Sequence, residues 1–376
     1  MAEPSLRQKL RSELETRPED RRLGSGWLSG TLAFLLGAGC LLLVICRAFP
    51  GLFITPQLQI IFQNPWFSTG LFITMLMAYG LALLNFVLRP NKILGFVAVG
   101  VTLLAGLIGG LVSVPTNQEG VFFGLDFFVL NVIFTGLLFV PLERMFPRYR
   151  DQRLFRNEWR EDLFYYFISS MMVQVLTFLA TAPALLISAH TTLTGFRAAI
   201  GAQPFVLQVF EIMLFTDLVQ YWVHRAFHRV PALWRFHAVH HSAKSMDWIA
   251  GARMHFLEIV VLRGVTAIPI FATGFQPIAI QAYLLIVYVY SAFIHANVGW
   301  NLEGIGRFFV TPRFHHWHHG VEREAIDVNF AIHFPWLDRL FGTHHLPKGK
   351  WPEGYGVGGH PVPSGYWQQF LYPFRR

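Results

Sequence analysis

Residues 217–258 read DLVQYWVHRAFHRVPALWRFHAVHHSAKSMDWIAGARMHFLE, and residues 311–320 read TPRFHHWHHG. These stretches hold three histidine strings: His224 with His228, then His237 with His240 and His241, then His315 with His318 and His319. On a helix, residues three and four apart share a face, so each string can aim its imidazoles in one direction. Neutral imidazole is the commonest metal ligand and suits both iron and zinc. Eight such rings are too many for one ion, which argues for two. None of the chain's 16 histidines precedes His190. The chemistry is confined to the second half.

Around these strings lies an apolar chain. It has 376 residues, 53% of them hydrophobic and 14% charged, with a positive mean hydropathy. That balance suits a polytopic membrane protein rather than a soluble domain. The uncharged stretches 27–46, 66–88 and 93–114 are each long enough to cross the ~30 Å hydrocarbon core as a helix. Further candidates are 121–142 (with Asp126), 163–188, 205–223 (with Glu211 and Asp217), 259–275 (with Arg263) and 278–293. The expected fold is all-α: a membrane bundle of about eight hydrophobic segments beneath a cytoplasmic histidine-rich cap. The last two segments are short, and Pro269 and Gly274 interrupt the first of them. They are expected to form a hairpin that does not fully cross.

Charge placement gives the orientation. With a cytoplasmic N-terminus, the cytoplasmic segments are 1–26, 89–92, 143–162, 224–256 and the chain after 294. Of the 30 Lys and Arg residues, all but Arg47, Arg197 and Arg263 fall in them, a strong positive-inside pattern. The net charge of +8 therefore reads as topology. It calls for no nucleic-acid partner, though it can also favour docking of an acidic redox protein. Both termini and the histidine cap are expected in the cytoplasm, beneath a bacterial inner membrane or the endoplasmic reticulum. Cys40 and Cys46 lie in the first span without disulfide or metal-site spacing. The first 25 residues are polar, and the span that follows is too long for a typical cleaved signal, so it is read as a retained helix. The expected organisation is an N-terminal segment 1–26, scaffold helices 27–142, a basic linker 143–162, a catalytic domain 163–358 and a tail 359–376.

The stretch 217–258 closely resembles the fatty acid hydroxylase and sterol desaturase superfamily. So do HANV at 295–298, TPRFHHWHHG at 311–320 and DVNFAIHFPWLDRLFGTH at 327–344. The resemblance covers roughly residues 140–358. It implies an integral-membrane non-haem di-iron oxygenase that hydroxylates or desaturates a sterol, fatty acyl or related apolar lipid. Such enzymes use O2 and externally supplied electrons, and zinc can replace iron in purified protein. Carried over by position, the metal ligands are His224, His228, His237, His240, His241, His315, His318 and His319. His255 and His295 fall where members place further histidines, although Phe256 stands where many members carry proline. His315 is preferred to its neighbour His316 because it gives the H-x-x-H-H register. Whether His255 and His316 ligate is open at this point.

Asp217 precedes His224 by seven residues on the same helical face. A carboxylate there is expensive in lipid and needs a partner; a hydrogen bond to a ligand histidine, fixing its tautomer, is expected. Asn329 and Asp338 are further candidates for that supporting role, with Asp247, Glu258 and Asn297 behind them. Trp222, Trp234, Trp248, Trp300 and Trp317 suit either a cavity lining or an interfacial belt. His190, His333, His344, His345 and His360 lack cluster spacing and are read as lying outside the ligand set. No haem-binding HPGG string or glycine-rich nucleotide fingerprint is present, so a separate cytochrome b5-like or ferredoxin-type donor is expected. The alternative is a non-catalytic zinc- or iron-binding transporter or receptor. That reading wants ionisable residues along a route through the bilayer, and the spans carry only Asp126, Glu211, Asp217 and Arg263.

Overall fold

A computed structural model describes residues 4–112, 124–190, 192–359 and 361–375. The ends of two expected spans, 113–114 and 121–123, and His360 lie outside the described residues. Among the described residues the secondary structure is helical, with one isolated bridge between Gly320 and Tyr355. Seven helices are long and apolar enough to cross a membrane, or eight if one bent pair is counted as a span. The chain is a multi-pass membrane protein.

The chain folds as two compact units, Met1–Arg156 with Ser170–Met172, and Asn157–Ser169 with Val173–Arg376. In the first unit, helix α1 (Trp27–Ala48) packs against α2 (Pro65–Leu88), α3 (Ile93–Leu111) and α4 (Leu125–Met145). Small residues allow the approach: Ala33, Ala82 and Ala98 are fully buried together, as expected where van der Waals contact must hold helices together in lipid. Large apolar side chains such as Phe72, Leu83 and Leu107 point outward, toward the bilayer. The helix Leu6–Leu14 starts at a capping box on Ser5 and Gln8. Its Glu13 pairs with Arg89 at 3.0 Å.

The second unit carries every histidine string. Its expected span 163–188 is instead two helices, α5 (Trp159–Met171) and α6 (Val173–Ala189), bent by 56°. Helix α7 (Phe205–Arg229) runs unbroken through the HRAFH string and ends two residues before Pro231. A residue preceding proline is biased out of helical geometry, so the chain turns at Val230 and restarts as α8 (Pro231–His241). Helix α9 (Phe256–Thr273) is longer than the sequence suggested, because Pro269 is accommodated within it. Gly274 ends it in the left-handed region at φ +88°, where an added Cβ would meet the backbone and Cβ of Arg197. Helix α10 (Pro277–His295) follows. At 18 and 19 residues, α9 and α10 are both long and apolar enough to cross a membrane. Helix α7 packs on α9 and α10, and α9 on α6. The short helices α11 (Pro312–His318), α12 (Trp336–Leu340) and α13 (Tyr366–Leu371) complete the unit.

Candidate metal centre

The ends of α7 and α10 and the short helices α8 and α11 bring nine histidines together in two groups. One group is His224, His228, His237, His241 and His318; the other is His240, His295, His315 and His319. Within each group the ligand atoms lie within 4.8 Å of one another. All are buried except His228, whose side chain keeps 5% exposure within a partly exposed residue. His295 thus joins the eight histidines of the three strings.

Hydrogen bonding fixes the protons. A carbonyl oxygen only accepts, so Nδ1 donates in His224 to Phe330 (2.8 Å), His240 to Arg253 (3.1 Å), His295 to Ser291 (2.6 Å) and His318 to Val328 (2.7 Å). In His237, Nδ1 donates to Glu258 Oε1 at 2.6 Å. Each of these neutral rings therefore turns a bare lone pair inward at Nε2. The Nε2 atoms of His224 and His237 face each other at 3.0 Å, and those of His240 and His295 at 3.4 Å. Two lone pairs so placed repel unless a cation lies between them. Nitrogens about 2.0–2.1 Å from a shared ion stand roughly 3 Å apart, so the residues fit a metal. His228 Nε2 and His318 Nε2 are buried without a partner, consistent with the same need. Burial holds the imidazoles of His237, His240, His241, His315, His318 and His319 well below their ordinary pKa, with neighbouring imidazoles adding to the effect. All six stay neutral and ready to bind.

Known proteins are similar to this chain. Residues 209–343 match the model of the fatty acid hydroxylase family, a span that includes all nine histidines. An ornithine lipid hydroxylase of Rhizobium tropici is 25% identical over 280 residues, covering 73% of this chain and 82% of the relative. The alkylglycerol monooxygenase of Homo sapiens is 31% identical over 153 residues, 41% of this chain and 33% of the relative. A putative methylsterol monooxygenase of Dictyostelium discoideum is 26% identical over 208 residues, 54% of this chain and 75% of the relative. Over these residues the chain is similar to the fatty acid hydroxylase and sterol desaturase superfamily. No solved structure gives a significant match.

One loop holds two of the nine histidines from behind. Residues 327–334 supply the carbonyls of Val328 and Phe330 that fix His318 and His224. Asp327 and Asn329 adopt positive φ, 61° and 59°, a conformation these side chains tolerate better than most. Asp217 does not bond a ligand histidine as expected. It accepts from the backbone N–H of Ile332 (2.8 Å), His333 (3.1 Å) and Phe334 (2.7 Å). A carboxylate inside a span finds its partners in loop amides, and so acts on His224 through the loop. Asp338 accepts from Phe330 and Ala331 N–H and from Thr343. Asn329 donates to Phe314 and His345 carbonyls and accepts from His345 N–H. Both therefore support the loop rather than a ligand ring.

Among the described residues, Glu258 and Asp327 are acids that face histidines of the first group. Glu258 meets His237, and Asp327 lies 3.4 Å from Nδ1 of His228. Glu258 was among the weaker candidates for that supporting role in the sequence, whereas spacing gave Asp327 no signal. Arg253 is fully buried and bonded through Nε to Asp162 at 2.5 Å; its carbonyl holds His240. Gly251 allows His295 to seat, since a Cβ there would come within 2.8 Å of the ring.

Other expected residues sit elsewhere. His255 lies in neither group: it caps α9 by accepting from Leu257 N–H (3.2 Å) and donates through Nε2 to the Phe370 carbonyl (3.1 Å). Both nitrogens are used, so it has no lone pair for a metal. His316 is likewise engaged, Nε2 donating to the His295 carbonyl (3.2 Å) and Nδ1 meeting Tyr355 Oη (2.8 Å). His333 is buried between the rings of Tyr283 and Tyr290, its pKa lowered to about 4 by burial. His190 is exposed and donates to its own helix, while His344 and His345 are half-buried. Asp247 accepts from Ala250 N–H, and Asn297 is buried. Of the tryptophans, Trp234 packs on His228, His237 and His241. Trp222 packs on Phe341, Trp248 on Tyr166, and Trp317 donates to the Lys350 carbonyl. Trp300 is exposed.

Proposed function

We propose that this chain is a membrane-bound non-haem di-iron oxygenase that hydroxylates a lipid C–H bond with O2 and externally supplied electrons. The observation that carries the reading is the pair of buried histidine groups whose bare Nε2 atoms converge. Relatives named as lipid hydroxylases, alkylglycerol monooxygenases and methylsterol monooxygenases support an oxidoreductase and favour hydroxylation over desaturation. An all-imidazole donor set without thiolate fits iron.

His224, His228, His237, His241 and His318 would hold one iron, and His240, His295, His315 and His319 the other. Bound there, the iron pair supplies O2 activation and the oxidising power needed for an unactivated C–H bond. The chain's own residues do the rest. Backbone carbonyls of Arg253, Ser291, Val328 and Phe330 set ring orientation, and Glu258 offsets positive charge beside His237. Burial excludes water, which protects the oxidant from side reactions. Helices α7, α9 and α10 lead from the bilayer to the groups and would admit an apolar chain from that side. Within the chain, residues 163–358 would form the catalytic segment and the helices before 142 its scaffold. The distribution of Lys and Arg supports cytoplasmic termini and a cytoplasmic metal centre, reached by a separate electron carrier.

Metal analysis with Mössbauer spectroscopy, on protein expressed with isotopically labelled iron, tests the reading. About two irons per chain with a coupled di-ferric signal is the expected result, followed by a hydroxylated lipid in expressing cells. Zinc that persists after iron-replete expression, with no reducible iron, overturns it.

A further inference from the structure

We propose that the surface over Trp234 is where an acidic one-electron carrier protein docks and delivers electrons. The inference rests on the iron reading above for the electron's destination, and on the following geometry for its path. Trp234 is partly exposed, yet its ring centroid lies 5.1 Å from His228, 5.5 Å from His241 and 6.2 Å from His237. One partly exposed residue therefore packs against three rings of one histidine group. Electron tunnelling falls steeply with distance and is carried better by contacting π systems than across gaps. The second group, of His240, His295, His315 and His319, is wholly buried, so the first group is the nearer destination from this side.

Charge around Trp234 indicates the partner. Arg229, Arg235 and Arg375 are all exposed, the side chain of Arg229 by 58%, and Arg235 reaches the Arg375 carbonyl at 3.4 Å. Asp327 is the acid that contacts place here, and Arg229 already neutralises it at 3.3 Å. A cationic rim of this kind steers an acidic protein and aligns it before contact. Anionic lipid headgroups are the competing occupant. They are disfavoured because Trp234 and Arg235 lie on α8, beyond the turn at Val230 that ends the spanning helix, and the tryptophan is spent on ligand rings. Each docking event moves one electron from the carrier's reduced centre to the metal pair. Two events with two protons balance the conversion of one O2 and one C–H into C–OH and water.

The test uses iron-loaded protein in uncharged detergent, with reduced plant-type two-iron, two-sulfur ferredoxin as the acidic probe and anaerobic stopped-flow detection of ferric loss. For the double variant Arg235→Glu with Arg375→Glu, the second-order rate should fall about tenfold or more at low salt. The difference should vanish at high salt. Dithionite reduction and iron content should match the parent protein. Trp234→Leu should slow the limiting rate under saturating ferredoxin, with Trp234→Phe falling between. An unchanged rate for the charge-reversed variant at low salt overturns the proposal, as does a loss confined to binding of anionic vesicles. Cross-linking of ferredoxin to metal-free protein, again with and without charge reversal, separates the two readings. A chain that binds no iron but still captures ferredoxin through these arginines sinks the oxygenase and keeps the docking surface.

Discussion

At His240 the ligand's orientation depends on residues the histidine pattern does not include. Its ring donates to the carbonyl of Arg253, whose guanidinium is held by Asp162. His240→Ala should cut bound iron below the parent stoichiometry and abolish turnover; metal analysis of purified protein checks both halves. Glu258→Gln keeps the shape but removes the charge beside His237, and should weaken metal affinity by about 10–100-fold. Competition with a chelator measures it, and an unchanged affinity would show that Glu258 only fills space. His255 gives the contrast, since His255→Ala should cost about 1 kcal/mol of stability by uncapping α9, with iron content intact. The three strings and their register were legible because ligand spacing on a helix is a local property. The role of His255 was not, because a capping histidine and a ligating one read alike in sequence. The difference lies in whether both ring nitrogens already have partners.

The 327–334 loop is the element on which most of the support converges. Asp217 reaches it from α7, Asp338 from α12, and Asn329 ties it to Phe314 and His345. Asp217→Ala would leave two buried amides and one half-buried amide without an acceptor, at a cost on the order of 3 kcal/mol. Thermal unfolding should register that loss, and iron affinity should fall with it because the Phe330 carbonyl is released from its position. A melting temperature within a degree or so of the parent, about 0.5 kcal/mol or less at this size, would argue against the loop's role. Hydropathy made the long helices readable, because bilayer thickness sets their length. It gave no sign of the 56° bend within 163–188. It also shortened α9 and α10, treating Pro269 as a break that neighbouring structure in fact accommodates. Backbone carbonyl partners were invisible altogether, since every residue offers one.

For the whole molecule, buried imidazoles set a pH limit. Six of them outside the spans are held well below 6.5, while in the unfolded chain they titrate near 6.5. As pH falls through 6.5 the unfolded state gains protons that the folded state refuses, so stability is lost toward acid. Asp338, raised to about 6, acts the other way between its ordinary 3.8 and 6, but it is one group against six. Metal-free protein should therefore melt at clearly lower temperature at pH 5 than at pH 7.5. A flat profile would mean that the rings are hydrated in solution. One feature of the centre governs how it fills. Helix α8 gives His237 and His241 to one group and His240 to the other; His318 goes to the first while His315 and His319 go to the second. Neither short segment can settle around one ion without arranging ligands for its neighbour. Loading should be cooperative, with a sigmoidal isotherm and few singly loaded chains. At half the full dose, native mass spectrometry should find a mixture of empty and doubly filled molecules, and the spectrum should be a scaled copy of the complete one.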